Sequence, residues 1–299
     1  MDGLVEGTRI VRRVAVLLAA LCVMVTGCTI GDASRLIAAE PSASATTAAP
    51  LAQEVNAGSI DRVITNSEGK KRSYLISTPP GYDSTRAWPV ILAFHGWGQD
   101  AQNMRDVTQL DKARAIVVFA DGVDKAWAPA PYAKTSSTED LGFVRTILSE
   151  VDKRFTVDHR RIFAAGFSNG GGFAAFLSCQ MPDTITAVAP VGAAYYTAIM
   201  KDCSHTPVAW LDIHGTHDQT INYYGGRRHG TDYEAVPEVL SEVAKRNGCE
   251  DSVIVRRSTN EIEQHWQGCE MPLSHLRVGG GEHVWPQGAT AEVRSFFGV

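Results

Sequence analysis

The 299-residue sequence lacks an apolar run of the ~18 residues that a membrane-spanning helix needs. It also lacks an excess of basic residues: 28 Lys and Arg stand against 33 Asp and Glu, for a net charge of −5, so nothing indicates a nucleic-acid partner. No CxxC pair and no HxxxH cluster is present, which disfavours a metal site. The remaining composition, with 44% hydrophobic and 20% charged residues, is that of an ordinary globular protein with a large core.

The amino-terminal segment has the features of an export signal. Three arginines lie just before an uncharged, mostly apolar run, Val14–Val25, which is long enough for a signal-peptide core and too short to span a membrane. The small residues that precede Cys28 resemble a bacterial lipobox, in which the cysteine is lipidated and becomes the first mature residue. The sequence therefore predicts a lipoprotein signal peptide over residues 1–27 and lipidation of Cys28, and the alternative is an ordinary signal peptide.

The stretch Ala33–Gln53 is dominated by small residues and proline and contains no aromatic residue. Such a segment cannot bury enough apolar surface to fold, so we expect a flexible tether over residues 28–54. The rest of the chain, 55–299, is then one large domain that is exported and either anchored outside the cytoplasm by lipid or secreted.

Four cysteines lie in this domain, namely Cys179, Cys203, Cys249 and Cys269. Disulfides are permitted outside the cytoplasm, and four cysteines allow three connectivities. Proximity along the chain favours Cys179–Cys203 and Cys249–Cys269. The segment between the last two is mostly polar, and its one continuous apolar run, Val253–Val255, offers few core anchors, so we expect a crosslink to be important there.

Short apolar strand-like runs alternate with helix-like segments along this domain. The predicted strands are Ser73–Thr78, Val90–Phe94, Ala115–Ala120, Arg161–Gly166, Ala187–Val191, Val208–His214 and His275–Val278. The predicted helices are Glu139–Phe155, with Ser137 and Thr138 as capping residues, Gly171–Gln180, and one that starts at Pro237 and ends before Gly248. This alternation predicts an α/β fold: a doubly wound, mostly parallel sheet with helices on both faces.

The pentapeptide Gly166-Phe167-Ser168-Asn169-Gly170 is a G-x-S-x-G pattern that lies between a predicted strand and a predicted helix. In that context the turn is so sharp that only small residues fit two positions away from the serine. The serine hydroxyl is then presented at the carboxyl edge of the sheet, next to a helix amino terminus. We therefore predict that Ser168 is a catalytic nucleophile.

A serine nucleophile needs a base, which follows the acid in chain order in this fold class. Seven histidines follow Ser168, namely His205, His214, His217, His229, His265, His275 and His283. The first three leave little room for an acid before them, and we expect the next three to be surface or structural residues. His283 lies in a glycine-rich loop just after the last predicted strand, so we predict that it is the base.

The acid must follow a strand and precede His283. Asp218 is the first acidic residue after the strand Val208–His214, whereas Asp212 lies within that strand. We predict that Asp218 is the third catalytic residue.

Acyl transfer also requires hydrogen-bond donors for the oxyanion. Gly96-Trp97-Gly98 follows the strand Val90–Phe94, where a backbone amide for this purpose is expected, and Asn169 follows the nucleophile. We predict that the amides of Trp97 and Asn169 form the oxyanion hole. The rings of Trp97 and Trp285, which lie next to predicted catalytic groups, are candidate substrate-binding walls.

Nine segments between Arg72 and Pro286 resemble, in order, the secreted poly(3-hydroxybutyrate) depolymerase / feruloyl esterase family, which is related to family 1 carbohydrate esterases. They are RSYLISTPPGYD, PVILAFHGWGQDA, FADGVDKAW, EDLGFV, RRIFAAGFSNGG, AVAPVGA, IHGTHD, AVPEVLSEVAKRNGC and GGGEHVWP. The resemblance implies an α/β-hydrolase fold and ester hydrolysis that needs no cofactor or metal. It implies a triad of Ser168, Asp218 and His283, and it supports pairing of Cys249 with Cys269.

The sequence thus predicts a serine esterase that acts on feruloyl or acetyl esters of polysaccharide or on hydroxyalkanoate esters. Two alternatives stay open at this point. One is an envelope acyltransferase on the same fold, and the other is a non-catalytic surface-binding lipoprotein.

Overall fold

The computed structural model describes residues 57–299, and the predicted leader (1–27) and the predicted tether (28–54), with Cys28, lie outside them. The strands are β1 (Ile60–Ser67), β2 (Lys70–Ser77), β3 (Trp88–Phe94), β4 (Ile116–Ala120), β5 (Val157–Phe167), β6 (Ala187–Val191), β7 (Ala209–Gly215), β8 (Gly226–Arg228), β9 (Thr231–Tyr233), β10 (Asp251–Arg256), β11 (Glu261–Gln267) and β12 (Leu273–Val278). The helices are α1 (Ala101–Thr108), α2 (Ser137–Arg154), α3 (Asn169–Gln180), α4 (Thr197–Met200), α5 (Val236–Arg246) and α6 (Ala289–Phe297).

Ten strands form one sheet in the order β1-β2-β4-β3-β5-β6-β7-β12-β11-β10, and β8 and β9 form a separate hairpin. The six strands from β4 to β12 in this order are parallel. Two antiparallel strands extend the sheet at each end. The predicted mostly parallel sheet is therefore confirmed, and the carboxyl ends of its central strands meet at one edge.

Both faces of the sheet are buried, as β3 shows most clearly. Val90, Leu92 and Phe94 pack into one core with α2, α3 and α5. Ile91 and Ala93 pack into a second core with α1 and α6. Because successive side chains of a strand point to opposite faces, a strand covered on both sides must be apolar throughout, which explains the continuous apolar runs.

Helix α2 begins with a capping box that differs from the predicted caps. The Ser136 side chain accepts from the Glu139 amide, and the Glu139 carboxylate accepts from the Ser136 amide. Ser137 and Thr138, which we expected to cap the helix, lie in its first turn instead. The amides of Ser136 and Glu139, which would otherwise lack acceptors, are thereby hydrogen-bonded. The acidic side chains of the first turn also interact favourably with the positive end of the helix dipole.

The polar segment between Cys249 and Cys269 is a β-hairpin, β10–β11, rather than a loop. It joins the sheet because β11 pairs with β12, so backbone hydrogen bonds anchor it in addition to the crosslink. Val253–Val255, the one continuous apolar run of this segment, are exposed on edge strand β10. Ile254 has 65% of its surface accessible.

Within residues 57–299, each helix is either too short or too polar to cross a membrane.

Candidate active site

Ser168 lies at the junction between β5 and α3 in a conformation that L-residues rarely adopt. Its φ is 54° and its ψ is −117°, which stores backbone strain of the kind found at functional sites. The turn also needs glycine at position 166, since a Cβ there would lie 2.1 Å from the carbonyl oxygen of Gly170. The strained turn presents the Ser168 hydroxyl at the carboxyl edge of the sheet.

His283 and Asp218 approach Ser168 from two other loops at the same edge. His283 Nε2 lies 2.9 Å from Ser168 Oγ, and His283 Nδ1 lies 2.6 Å from Asp218 Oδ2. The loops can touch because position 215 is glycine: a Cβ there would lie 2.3 Å from Gly281 O. The structure thus brings the three predicted residues into one hydrogen-bonded line, with Asp218 buried and His283 partly open to solvent.

The Asp218 carboxylate is held by more than His283. Its Oδ1 accepts hydrogen bonds from the amides of Thr220 and Ile221, at 2.9 and 2.7 Å. Burial alone would raise the pKa of Asp218, but hydrogen bonds from His214, His283 and Ile221 lower it well below its ordinary value. The carboxylate is therefore ionised and fixed in orientation.

His214, at the end of β7, is a part of the site that the sequence analysis did not single out. Its Nε2 lies 3.0 Å from Ile221 O and 3.4 Å from Asp218 Oδ2, and its ring is fully buried. Both of these oxygens are acceptors, so Nε2 carries a proton, whereas Nδ1 has no hydrogen-bond partner among residues 57–299. Burial lowers the pKa of His214, but the hydrogen bond to Asp218 and the charge of Asp212 outweigh it, and the pKa is raised.

The amide of Trp97 is free to bind an oxyanion, whereas the amides on either side of it are occupied. Gly96 N donates to Gln99 Oε1, and Gly98 N donates to Lys125 O. No acceptor for Trp97 N is found in the described part of the chain. The Asn169 amide begins α3, where the first N–H groups have no partner inside the helix.

Two buried polar side chains hold the loops that carry these amides. The buried ring of His95 bridges Gly96 O, at 2.8 Å, and the amide of Gly122, at 3.0 Å. This arrangement makes Nδ1 the donor and Nε2 the acceptor, and burial lowers the pKa of His95. The Asn169 side chain pairs with both backbone groups of Trp127, at 2.8 and 3.0 Å. His95 is a second residue that the sequence analysis did not select.

A pocket of about 240 Å³ opens in front of Ser168 and His283. Trp97 stacks on Tyr132 with ring centroids 4.6 Å apart, and His229 contacts both rings edge-on. Trp97 therefore forms a wall of the pocket, as predicted from its position. His229, which we expected to be a surface or structural residue, also lines it.

Trp285 is placed differently from our expectation. Its ring packs against the second core, and its indole N–H donates to Thr290 Oγ1 at 3.0 Å. It is not among the described residues that line the pocket. The loop turns the Trp285 side chain back onto α6, although His283, two residues earlier, points into the site.

Both disulfides favoured by chain proximity are formed in the structure, Cys179–Cys203 and Cys249–Cys269. The first ties α3 to the segment after α4, and the second closes the β10–β11 hairpin. Each closes a loop of roughly 20 residues, which stabilises a fold by about 3 kcal/mol in the chain-entropy model. Two disulfides are typical of a protein outside the cytoplasm.

No family model matches the chain, but curated relatives do. It is 25% identical to a probable feruloyl esterase C of Aspergillus clavatus over 229 residues, which covers 73% of this chain and 78% of the relative. It is 26% identical to feruloyl esterase D of Neurospora crassa, with 74% and 77% covered. It is 28% identical to feruloyl esterase B of Piromyces equi, with 71% and 42% covered.

Solved structures agree on the fold. An acetyl xylan esterase from Aspergillus awamori superimposes with a TM-score of 0.62 and 14% identity, covering 81% of this chain and 99% of that one. A CE1 ferulic acid esterase from Anaeromyces mucronatus gives a TM-score of 0.54 and 16% identity, with 82% and 91% covered. The chain has the α/β-hydrolase fold. Its expected resemblance to feruloyl esterases and family 1 carbohydrate esterases is confirmed, and the relatives that it matches are named as esterases.

Proposed function

We propose that this α/β hydrolase is an exported serine esterase that hydrolyses carboxylic esters with Ser168, His283 and Asp218 as its catalytic residues. The observation that carries the proposal is the continuous line of contacts from Ser168 Oγ to His283 Nε2 and from His283 Nδ1 to Asp218 Oδ2. These are the contacts that a nucleophile, a base and an orienting acid require.

In the first half-reaction, Ser168 Oγ attacks the ester carbonyl carbon while His283 Nε2 accepts the hydroxyl proton. The carbonyl oxygen becomes an oxyanion, which accepts hydrogen bonds from the amides of Trp97 and Asn169. Collapse of the tetrahedral intermediate breaks the bond to the alcohol oxygen, and His283 gives its proton to that oxygen. The alcohol leaves, and the acyl group stays on Ser168.

In the second half-reaction, a water molecule attacks the acyl group as His283 Nε2 accepts its proton. The intermediate collapses, the acid leaves, and Ser168 recovers its proton from His283. Asp218 stabilises the imidazolium that forms in each half, and its depressed pKa keeps it charged while it does so. His214 supports this arrangement from the buried side of the carboxylate.

The substrates we propose are feruloyl or acetyl esters of polysaccharide, or short hydroxyalkanoate esters. The names of the relatives support the first two, since these are feruloyl esterases and an acetyl xylan esterase. The stacked rings of Trp97 and Tyr132 support them as well, because a flat apolar wall suits an aromatic or sugar ring. Export is supported by the two disulfides and by the signal-like residues 1–27.

Replacement of the nucleophile tests the proposal. In Ser168→Ala, turnover of methyl ferulate, acetylated xylan and 4-nitrophenyl butyrate should fall by roughly 10⁴- to 10⁶-fold, because no covalent acyl-enzyme can form. The variant should unfold at the same denaturant concentration as the wild type or a higher one, since the substitution removes only the hydrogen bond from Ser168 Oγ to His283. Labelling by a fluorophosphonate probe should be lost together with turnover.

Ser84→Ala is the matched control, because Ser84 is exposed on a loop remote from the three catalytic residues. It should retain wild-type turnover and labelling. Wild-type activity in a folded Ser168→Ala protein would show that another residue carries the reaction.

A further inference from the structure

One cation lines the pocket together with the catalytic groups. Arg228 ends strand β8, and its side chain borders the same pocket as Ser168 and His283. Its Nη1 donates to Thr220 O at 3.4 Å, and its Nε donates to His229 Nε2 at 3.3 Å. These bonds use two of the five N–H donors of a guanidinium, and the others stay available.

No carboxylate among the described residues neutralises this cation. The neighbouring Arg227 is paired with Asp232 at 3.0 Å, but Arg228 forms no ion pair with any residue in the range 57–299. None of the described residues that line the pocket is an Asp or a Glu. Asp218 lies behind His283 and is fully occupied by His283, His214 and two amides.

The charge of Arg228 acts on the pocket interior. Burial raises the pKa of the Tyr132 hydroxyl and that of the Tyr196 hydroxyl, and the Arg228 charge opposes the rise in both. Burial and the same charge together lower the pKa of His229. Arg228 is also the one permanently charged side chain among the described residues that line the pocket.

We propose that Arg228 binds a carboxylate of the substrate, so that the natural substrate is an ester that also carries a free carboxylate a few atoms from the scissile bond. This inference rests on the proposed esterase function and specifies its substrate class. A guanidinium pairs with a carboxylate through two parallel hydrogen bonds, which fix orientation as well as add affinity.

The pocket is small enough for a short substrate to contact Ser168 and Arg228 at the same time. Its volume of about 240 Å³ is below the ~300–1,000 Å³ of sites for drug-sized ligands. Ser168 and Arg228 border the same small space, so one short molecule reaches both. A hydroxyalkanoate oligomer that ends in a carboxylate and a uronate acylated on one of its hydroxyl groups both have this chemistry, whereas an alkyl ferulate does not.

Two matched pairs of substrates test the proposal on either side of the ester bond. For the acyl side, 4-nitrophenyl hydrogen glutarate is compared with the neutral 4-nitrophenyl glutaramate. For the alcohol side, 3-acetoxybutyrate is compared with 3-acetoxybutyramide, and acetate release is measured. In at least one pair the acid should have a kcat/KM about tenfold or more above that of the amide, mainly through a lower KM.

Three variants assign the preference to a residue. Arg228→Gln should abolish it by lowering kcat/KM for the acids far more than for the amides, and Arg228→Lys should retain part of it because the charge remains. Arg227→Gln, next in the chain but paired with Asp232 and outside the pocket lining, should leave it unchanged.

A wild-type protein that hydrolyses the amides as fast as the acids would overturn the role of Arg228 and leave the esterase proposal standing. A preference that survives in Arg228→Gln, or that disappears equally in Arg227→Gln, would overturn it as well. A wild type that hydrolyses none of the four substrates but turns over 4-nitrophenyl butyrate would overturn the role of Arg228 alone, and one that turns over neither these nor the esters of the Ser168→Ala experiment would overturn both proposals.

Discussion

At the scale of single residues, the Asp218 carboxylate gains its environment only when the chain folds. Two amides and two imidazoles surround it, and its pKa is lowered in the folded protein. A carboxyl group whose pKa is lower in the folded than in the unfolded chain stabilises the native state at pH values above its pKa in the unfolded chain, which is about 3.9 for Asp. That stabilisation is lost as the pH falls from there toward the folded pKa.

Asp218→Asn should therefore affect both activity and acid stability. Turnover should fall by roughly 10³- to 10⁴-fold, because the amide cannot hold His283 in the required tautomer. The free energy of unfolding, measured in urea at several pH values, should decline less steeply between about pH 5 and pH 3 than it does in the wild type.

Asp232→Asn is the comparison for that experiment, since Asp232 is an exposed carboxylate paired with Arg227. Its acid profile and turnover should follow the wild type. Identical acid profiles for Asp218→Asn and the wild type would show that Asp218 is not preferentially ionised in the folded state.

At the scale of elements, a buried ion pair holds the loop between β4 and α2 that carries Tyr132 into the pocket. Arg72 on β2 and Asp140 on α2 lie 3.0 Å apart, with 2% and 0% of their side chains accessible. The second oxygen of Asp140 accepts from the Ala128 amide and the Thr135 hydroxyl, at 2.9 and 2.7 Å. One carboxylate thus fastens a strand, a helix and both sides of the loop.

Asp140→Ala should be strongly destabilising, because it leaves the buried charge of the Arg72 guanidinium without its carboxylate partner. We expect a loss of about 3–5 kcal/mol in the free energy of unfolding, together with a raised KM as Tyr132 moves. Arg62→Ala removes an ion pair to Asp121 that is far more exposed on the arginine side, and it should cost at most about 1 kcal/mol. Equal losses in the two variants, measured by urea unfolding, would contradict this view of the loop.

At the scale of the whole molecule, the sequence predicts the central strands well and the periphery poorly. Strands β3 to β7 and β12 are buried on both faces, so their apolar runs are visible without knowledge of their neighbours. β1, β10 and β11 at the sheet ends are largely polar, and they are strands only because a neighbour supplies backbone hydrogen bonds. Helices α1 and α6 were not predicted either.

The same contrast applies to the site. Ser168, Asp218 and His283 each follow a strand, and parallel topology brings them to one edge, so the sequence is sufficient to predict that they meet. His214 and His95 act through backbone groups and a carboxylate that become neighbours only after folding. Trp285 shows the limit of inference from chain proximity, because two residues are enough to reverse the direction of a side chain.

Residues 1–56 are also a matter for the whole molecule, since the sequence predicts an export signal and a lipid anchor there. If Cys28 is lipidated, Cys28→Ala should move the protein from the membrane fraction to the soluble exported fraction with unchanged esterase activity. Firm anchoring requires more than one acyl chain, because a single chain binds membranes only marginally. Recovery of the wild type wholly in the soluble exported fraction would contradict the predicted anchor.

The edge strand β10 also affects how the protein behaves in concentrated solution. Within the part of the chain that the structure describes, no strand pairs with its outer side, and Val253, Ile254 and Val255 expose β-branched side chains on both of its faces. Such an edge offers a template for strand pairing between molecules, and only the charges of Asp251 and Arg256 at its two ends counter this. We therefore expect that association between molecules through this strand, which is far in sequence from the nucleophile, limits colloidal stability under conditions in which the core is still folded.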